Sequence, residues 1–204
     1  MIYEPNRKLV IDASNKCSLQ CPRCLREYYR INKIKVPGEN ITIDRFNKLI
    51  KYYNEFIEFS GLVSDPIMNP NLPKFLKILY ENNIPSKVRT AATFKPRDLE
   101  WYRIAFNNNP DTMWVFGLDG LPHESHLYRK KQDGEKLFKI MQLATSMGIN
   151  TVWQYIVFNY NENHIDEAHQ LAKDNNMIFE LNISSRWITD DPLKPTNKKY
   201  VKEF

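Results

Sequence analysis

Leu9-Val10-Ile11-Asp12-Ala13 runs into Ser14-Asn15-Lys16-Cys17-Ser18-Leu19-Gln20-Cys21-Pro22-Arg23-Cys24, and the reading of this stretch decides the fold. The first part is a short apolar run that reads as a strand. The second is polar and broken by proline, so it reads as a loop leaving that strand's C-terminal end. It carries all three cysteines of the chain at CxxxCxxC spacing. Three thiols cannot pair off as disulfides without leaving one over, and they fall one short of a closed four-ligand zinc or iron–sulfur site. The donor count therefore points to a cluster with one iron left open. A Cys₃His zinc site would need His123, His126, His164 or His169, none at finger-like spacing, and a plain electron carrier would need a fourth cysteine.

Outward from this loop the chain alternates strands with amphipathic helices. Strands are expected over 9–13, 57–61, 88–92, 113–118, 151–158 and 178–183, and helices over 43–56, 70–83, 96–106, 135–147 and 163–175. Thr42 is the expected cap of the first helix and Asn69 that of the second, with Pro70 in its first turn; Gly148 stops the fourth. This alternation argues for a parallel sheet with crossover helices, whose chemistry gathers where the strands end. Residues 1–186 are expected to form the core domain. Residues 187–204, with Pro192 and Pro195 and no apolar period, are expected to form a lid, an extended arm or a frayed tail.

A chain of 204 residues that is 42% hydrophobic can bury one real core. No apolar stretch approaches the roughly 18 residues of a membrane span, and Met1 to Arg7 lacks a signal-peptide core. The expectation is a soluble, cytoplasmic protein with no membrane partner, and a reducing compartment suits three unpaired thiols. The net charge of +5 is too mild to imply nucleic-acid binding by itself. Arg23, Arg26, Arg30, Lys33 and Lys35, interleaved with Tyr28 and Tyr29 and opposed by Glu27, read first as a solvated basic loop and second as a contact for an anionic partner.

The cysteine motif and its surroundings resemble the signature of the radical S-adenosylmethionine (SAM) enzymes. The resemblance spans about residues 8–186 and implies an α/β fold, an open (βα)₆ partial TIM barrel with a parallel six-stranded sheet and outer helices. It further implies that Cys17, Cys21 and Cys24 hold three irons of a single [4Fe–4S] cluster and that SAM chelates the fourth. An external one-electron donor such as flavodoxin or ferredoxin would reduce the cluster. SAM would then be cleaved to a 5′-deoxyadenosyl radical that abstracts hydrogen from a peptide, protein or small-molecule substrate in oxygen-sensitive chemistry.

By the same resemblance, Phe59-Ser60-Gly61-Leu62-Val63-Ser64-Asp65-Pro66 is a variant of the family's Gly-Gly-Glu-Pro segment. Ser64 and Asp65, with nearby carbonyls, would meet the SAM ammonium. Phe116-Gly117-Leu118-Asp119-Gly120-Leu121-Pro122 and His126-Leu127-Tyr128-Arg129 resemble the fourth-strand region of the peptide- and protein-modifying group. Arg129 would clamp the SAM carboxylate, and Asp119 would meet ribose hydroxyls or order the strand end. Thr90 ends the third strand, and Gln154 is a polar residue in an apolar strand that would face the barrel interior. Asn182, Ser184, Ser185 and Arg186 play the analogous part on the sixth strand, and Arg23 would lie against the adenine. Trp153 and Trp187 read as core or lid aromatics. With no cysteine after Cys24, no auxiliary cluster is expected in this chain. The alternative is a cluster-containing module that binds nucleic acid or protein without turning over SAM.

Overall fold

Six strands carry the architecture: β1 (Lys8–Ile11), β2 (Phe56–Phe59), β3 (Ser86–Thr90), β4 (Met113–Gly117), β5 (Thr151–Ile156) and β6 (Ile178–Asn182). The structure, a computed structural model, describes residues 7–188 and 190–202. The N-terminal residues in which no signal core is expected lie mostly outside the described residues, as do the last two of the tail. Each strand pairs in parallel with the next in sequence, in the order β1 to β6, giving the open six-stranded α/β sheet expected. Between them run α1 (Leu25–Ile31), α2 (Ile43–Ile50), α3 (Leu72–Glu81), α4 (Leu99–Asn108), α5 (Gly134–Ser146) and α6 (Ile165–Asp174). Among the described residues, no helix is long and apolar enough to cross a membrane.

The period-2 alternation of the strands assigns their faces. Ile57 and Phe59 turn toward the helices, where Phe46 of α2 stacks on Phe75 of α3 at 4.3 Å between ring centroids and Phe59 completes the cluster. Trp114 meets Phe106 and Tyr102 of α4 edge-on, and Trp153 packs on Phe138 of α5. Burying each such ring contributes about 1.5–3 kcal/mol, so this layer holds the helices on the sheet. The alternate residues, Glu58, Lys87, Arg89, Gln154, Glu180 and Asn182, therefore line the opposite face. That face is concave: Glu180 on β6 feels the charges of Arg89 and Lys87 on β3. In a flat sheet those strands would stand about 14 Å apart.

Three expectations are corrected. The first helix ends at Ile50 instead of running to Phe56, because Phe56 pairs with Lys8 as the first residue of β2. Asn69 does not cap α3, which begins after Asn71 with Pro73 in its first turn. Its amide instead donates to Ala13 O at 2.6 Å and Ile41 O at 3.0 Å, tying the end of β1 to the segment before α2. The basic run after the cysteines is not a loop throughout, since residues 25–31 form α1, whose apolar residues have no core to declare them to a periodicity search. Of the alternatives for residues 187–204, the described part is an arm tied to the core. Thr196 and Asn197 donate to Glu162, and Asn159 N donates to Leu193 O.

Candidate functional site

The cysteine loop leaves β1 and is stapled over the ends of the next three strands. Asp65 N donates to Lys16 O (2.9 Å), Ser18 Oγ to Thr93 O (2.8 Å) and Gln20 N to Lys130 O (3.0 Å). These bonds reach the loops after β2, β3 and β4 in turn, so the three thiols sit at the C-terminal mouth of the sheet. All three are unpaired and half-buried, and Cys24 also precedes the first turn of α1. Burial, and then the Asp65 carboxylate, push the Cys17 thiol up to about 12. Burial pushes Cys21 up to about 11 while Arg129 pulls it back. Any metal bound here must displace protons. Among the described residues, no three His, Cys, Asp or Glu side chains stand close enough to grip one metal ion. An iron–sulfur cluster asks for something different, because each thiolate binds its own iron. His164 is paired with Glu124 at 2.9 Å.

Asp65 is buried, and both its oxygens are spent within the protein. Oδ1 accepts from Ile67 N (3.2 Å) and Thr90 Oγ1 (2.8 Å), Oδ2 from Ala91 N (3.0 Å) and Ala92 N (2.9 Å). Asp65 thus brackets the β2 loop to the end of β3, and the Thr90 hydroxyl donates to the same bracket. Ser64 donates to Oδ1 of the exposed Asp12 at 2.6 Å, and Asp12 also accepts from Leu62 N. Gly61 is obligatory in this turn, since a Cβ there would collide with the Ser64 carbonyl. What the loop still offers a cation is backbone carbonyls.

Asp119 and Arg129 meet at the end of β4, with their side chains 0% and 12% exposed. Arg129 Nε lies 2.7 Å from Asp119 Oδ2 but off the hydrogen-bond axis, and Nη2 reaches Oδ1 at 3.3 Å. Asp119 Oδ1 also accepts from Ile156 N (2.9 Å), which locks it to β5. Burial opposes the charge on Arg129, but Asp119 and then Cys21 outweigh it and hold the guanidinium above its ordinary pKa. Gly117 permits the arrangement, because a Cβ there would stand 2.6 Å from Arg129 Nη2.

Beside this pair opens a cavity of about 280 Å³ walled by Arg23, Tyr128, Gln154, Phe158, Ser184 and Trp187, with Asn182 and Arg186 also at its edge. Tyr128 stacks on Phe158 at 4.3 Å, and Trp187 meets Phe158 edge-on. Gln154 faces the interior as expected, its amide 3.4 Å from Glu180 Oε1. Arg23 reaches across to Asp191 Oδ2 (2.6 Å), tying the cysteine loop to the C-terminal arm. Of the six buried side-chain atoms without a hydrogen bond among the described residues, four stand at this mouth: Arg23 Nε, Asp119 Oδ2, Arg129 Nε and Trp187 Nε1. Arg129 Nε and Asp119 Oδ2 face each other across the ion pair, whereas Arg23 Nε and Trp187 Nε1 have no partner; an unpaired buried donor is costly, so these two mark a place suited to a polar ligand.

The basic run is largely spent inside the protein. Arg23 pairs with Asp191, Arg30 with Glu27 at 2.6 Å, and Arg26 donates to the carbonyls of Asn15 and Val63. Sequence reasoning missed Asp12, Tyr128, Phe158, Asp191 and Gln132, whose amide ties Ala91 O to Gly117 O. Asp12 was legible as a carboxylate at a strand end; the others carry no local signal.

No protein-family model matches the sequence, and no curated protein matches it. Solved structures do. SuiB from Streptococcus suis bound to S-adenosylmethionine superposes with a TM-score of 0.72 at 15% identity over 94% of this chain and 44% of that one. Native anSMEcpe with bound AdoMet and Cp18Cys peptide gives 0.70 at 16% identity, over 96% and 56%. TYW1 with a lysine–pyruvate adduct bound gives 0.62 at 14% identity, over 91% and 68%. The shared fold is thereby established. This chain spans about half the length of the first two.

Proposed function

We propose that this protein is a radical SAM enzyme in which Cys17, Cys21 and Cys24 hold one [4Fe–4S] cluster. Bound together, cluster and SAM would supply a one-electron cleavage that yields a 5′-deoxyadenosyl radical for hydrogen abstraction. The observation that carries this reading is the set of three unpaired thiols at the mouth of the sheet, beside the buried Arg129–Asp119 pair and an aromatic-walled cavity. Arg129 Nε can bind the SAM carboxylate, Asp119 Oδ2 can accept from a ribose hydroxyl, and the Tyr128, Phe158 and Trp187 rings offer a stacking wall for adenine. Arg23 borders that wall through its side chain, and Ser184 and Gln154 supply polar edges. With Asp65 occupied, the SAM ammonium falls to carbonyls of the loop around Ser64. Residues 1–186 form the catalytic core and the arm beyond it closes one side of the mouth. SuiB has also been solved with its precursor peptide SuiA, and anSMEcpe with the Cp18Cys peptide, which supports a peptide or protein substrate here. A cytoplasmic setting with a flavodoxin or ferredoxin as donor completes the proposal.

The test is anaerobic reconstitution with iron and sulfide, then dithionite and SAM. 5′-Deoxyadenosine that disappears in Cys21→Ala is the expected result. A stable cluster with no SAM cleavage would favour the alternative, a binding module, and would sink the enzyme reading.

A further inference from the structure

The concave face of the sheet carries charge where a barrel wall is ordinarily apolar. Arg89 Nε on β3 donates to Glu58 Oε1 on β2 at 2.7 Å, and Lys87 Nζ lies 3.7 Å from Glu58 Oε2. The three side chains are 31%, 15% and 22% exposed in the order Arg89, Glu58, Lys87. Two cations share the Glu58 carboxylate, while Glu180, outside ion-pair distance of both, supplies a second negative charge across the interior. Neither terminal nitrogen of Arg89 has a hydrogen bond among the described residues. Across the interior, Asn182, then Gln154, Arg89 and Lys87, hold the Glu180 carboxyl below its usual range against the pull of burial.

An ion pair in this position adds little to the fold, because desolvation consumes most of its attraction and apolar side chains would serve the wall as well. Its placement suits a ligand. Arg89 pairs in register with Val115, two residues before Gly117, over which the Arg129 guanidinium lies. At about 3.3 Å per residue, Arg89 stands roughly 7 Å below the Arg129 level, on the floor of the site. With Nε held by Glu58, the end-on edge formed by the two terminal nitrogens of Arg89 is the one left to grip a carboxylate.

We infer that Arg89, flanked by Lys87 and restrained by Glu58, is a carboxylate-binding site on the barrel floor that holds an anionic group of the substrate. Its place beneath SAM rests on the function proposed above; the site itself does not. Glu58 competes with the ligand for Arg89 and keeps the guanidinium oriented. The carboxylate belongs to a free amino acid or to an acidic residue of a peptide.

Calorimetry on the full chain without cluster or SAM tests this with three probes: free L-glutamate, a capped pentapeptide with a central Glu, and the same peptide with Gln. The Glu peptide is expected to bind about tenfold or more tightly than the Gln peptide, a discrimination typical of a charge-assisted pair. Glutamate binding as well as the peptide assigns a free acid, and peptide binding alone assigns a chain. Arg89→Leu should remove the discrimination and Arg89→Lys should restore part of it. Glu58→Gln should tighten the acidic probes severalfold, which a purely structural ion pair would not do. Equal affinity for Glu and Gln peptides, no binding by any probe at millimolar concentration, or weakening in Glu58→Gln overturns the inference. Because 5′-deoxyadenosine formation is read separately, failure of either reading is distinguishable from failure of the other.

Discussion

Replacing Asp65 by alanine removes one buried carboxylate and strands four donors: the backbone N–H groups of Ile67, Ala91 and Ala92 and the Thr90 hydroxyl. The hydroxyl can rotate to another acceptor, but the three N–H groups are fixed by the backbone. Each buried donor left unsatisfied costs about 1–3 kcal/mol. Water entering the vacated space recovers part of this, so the loss is about 3–5 kcal/mol. Against a total stability of about 5–15 kcal/mol, that is a large fraction. At about 2–4 °C per kcal/mol for a chain of this size, Tm should fall by about 6–20 °C. Asp65→Asn should sit between, because its amide keeps one acceptor but turns a donor toward Ala91 and Ala92. Burial pushes the Asp65 carboxyl up and the same four donors draw it back, led by Ala91 N. Urea unfolding of the cluster-free protein, followed by far-ultraviolet circular dichroism, gives the comparison. A loss below about 1 kcal/mol in Asp65→Ala, accompanied by a large loss of SAM affinity, would falsify the bracket and return Asp65 to the ligand.

Gly117→Ala should weaken SAM binding about tenfold, the order expected when a clamp is misplaced, because its methyl displaces the Arg129 guanidinium; unchanged calorimetric affinity would refute that. Asp119→Ala leaves Arg129 buried without its partner and should cost about 3–5 kcal/mol in chemical denaturation, a reading contradicted by a near-native midpoint. Glu162 has its carboxyl held below the usual range, against burial, by Thr196 and Asn197. A depressed acid stabilises above its unfolded pKa, so the attachment of the arm is complete above about pH 4.3. It is lost as pH falls through the lowered folded value. The amide resonances of Thr196 and Asn197 should titrate with a midpoint below pH 4.3, and a midpoint at or above it refutes the assignment.

Much of the architecture was legible because each element states its own period. Phe46, Leu49 and Ile50 mark one helix face, and Trp153 and Tyr155 mark one strand face, before any neighbour is known. Boundaries were less legible where two elements compete for one residue, as at Phe56. Helix α1 was hidden because it buries nothing, so Leu25 and Ile31 stand among charges and tyrosines with no core-facing period. Within the site, the cysteines were readable from spacing and the facing of Gln154 from strand phase. The occupation of Asp65, Ser64 and Thr90 was not, since their partners lie on other loops.

The sequence by itself determined the alternation of strands and helices, the single cysteine loop at a strand end and the absence of a fourth thiol ligand. These are local properties, fixed by periodicity and count. The tertiary structure decided which charges remain available. It spent Arg23 on Asp191, closed Asp65 within its bracket, left Arg129 and Asp119 incompletely satisfied beside the cysteines, and curled the sheet until Arg89 on β3 faced Glu180 on β6. Hydrogen bonds and ion pairs act only over contact distances, so whether a polar side chain is spent or free depends on segments far away along the chain.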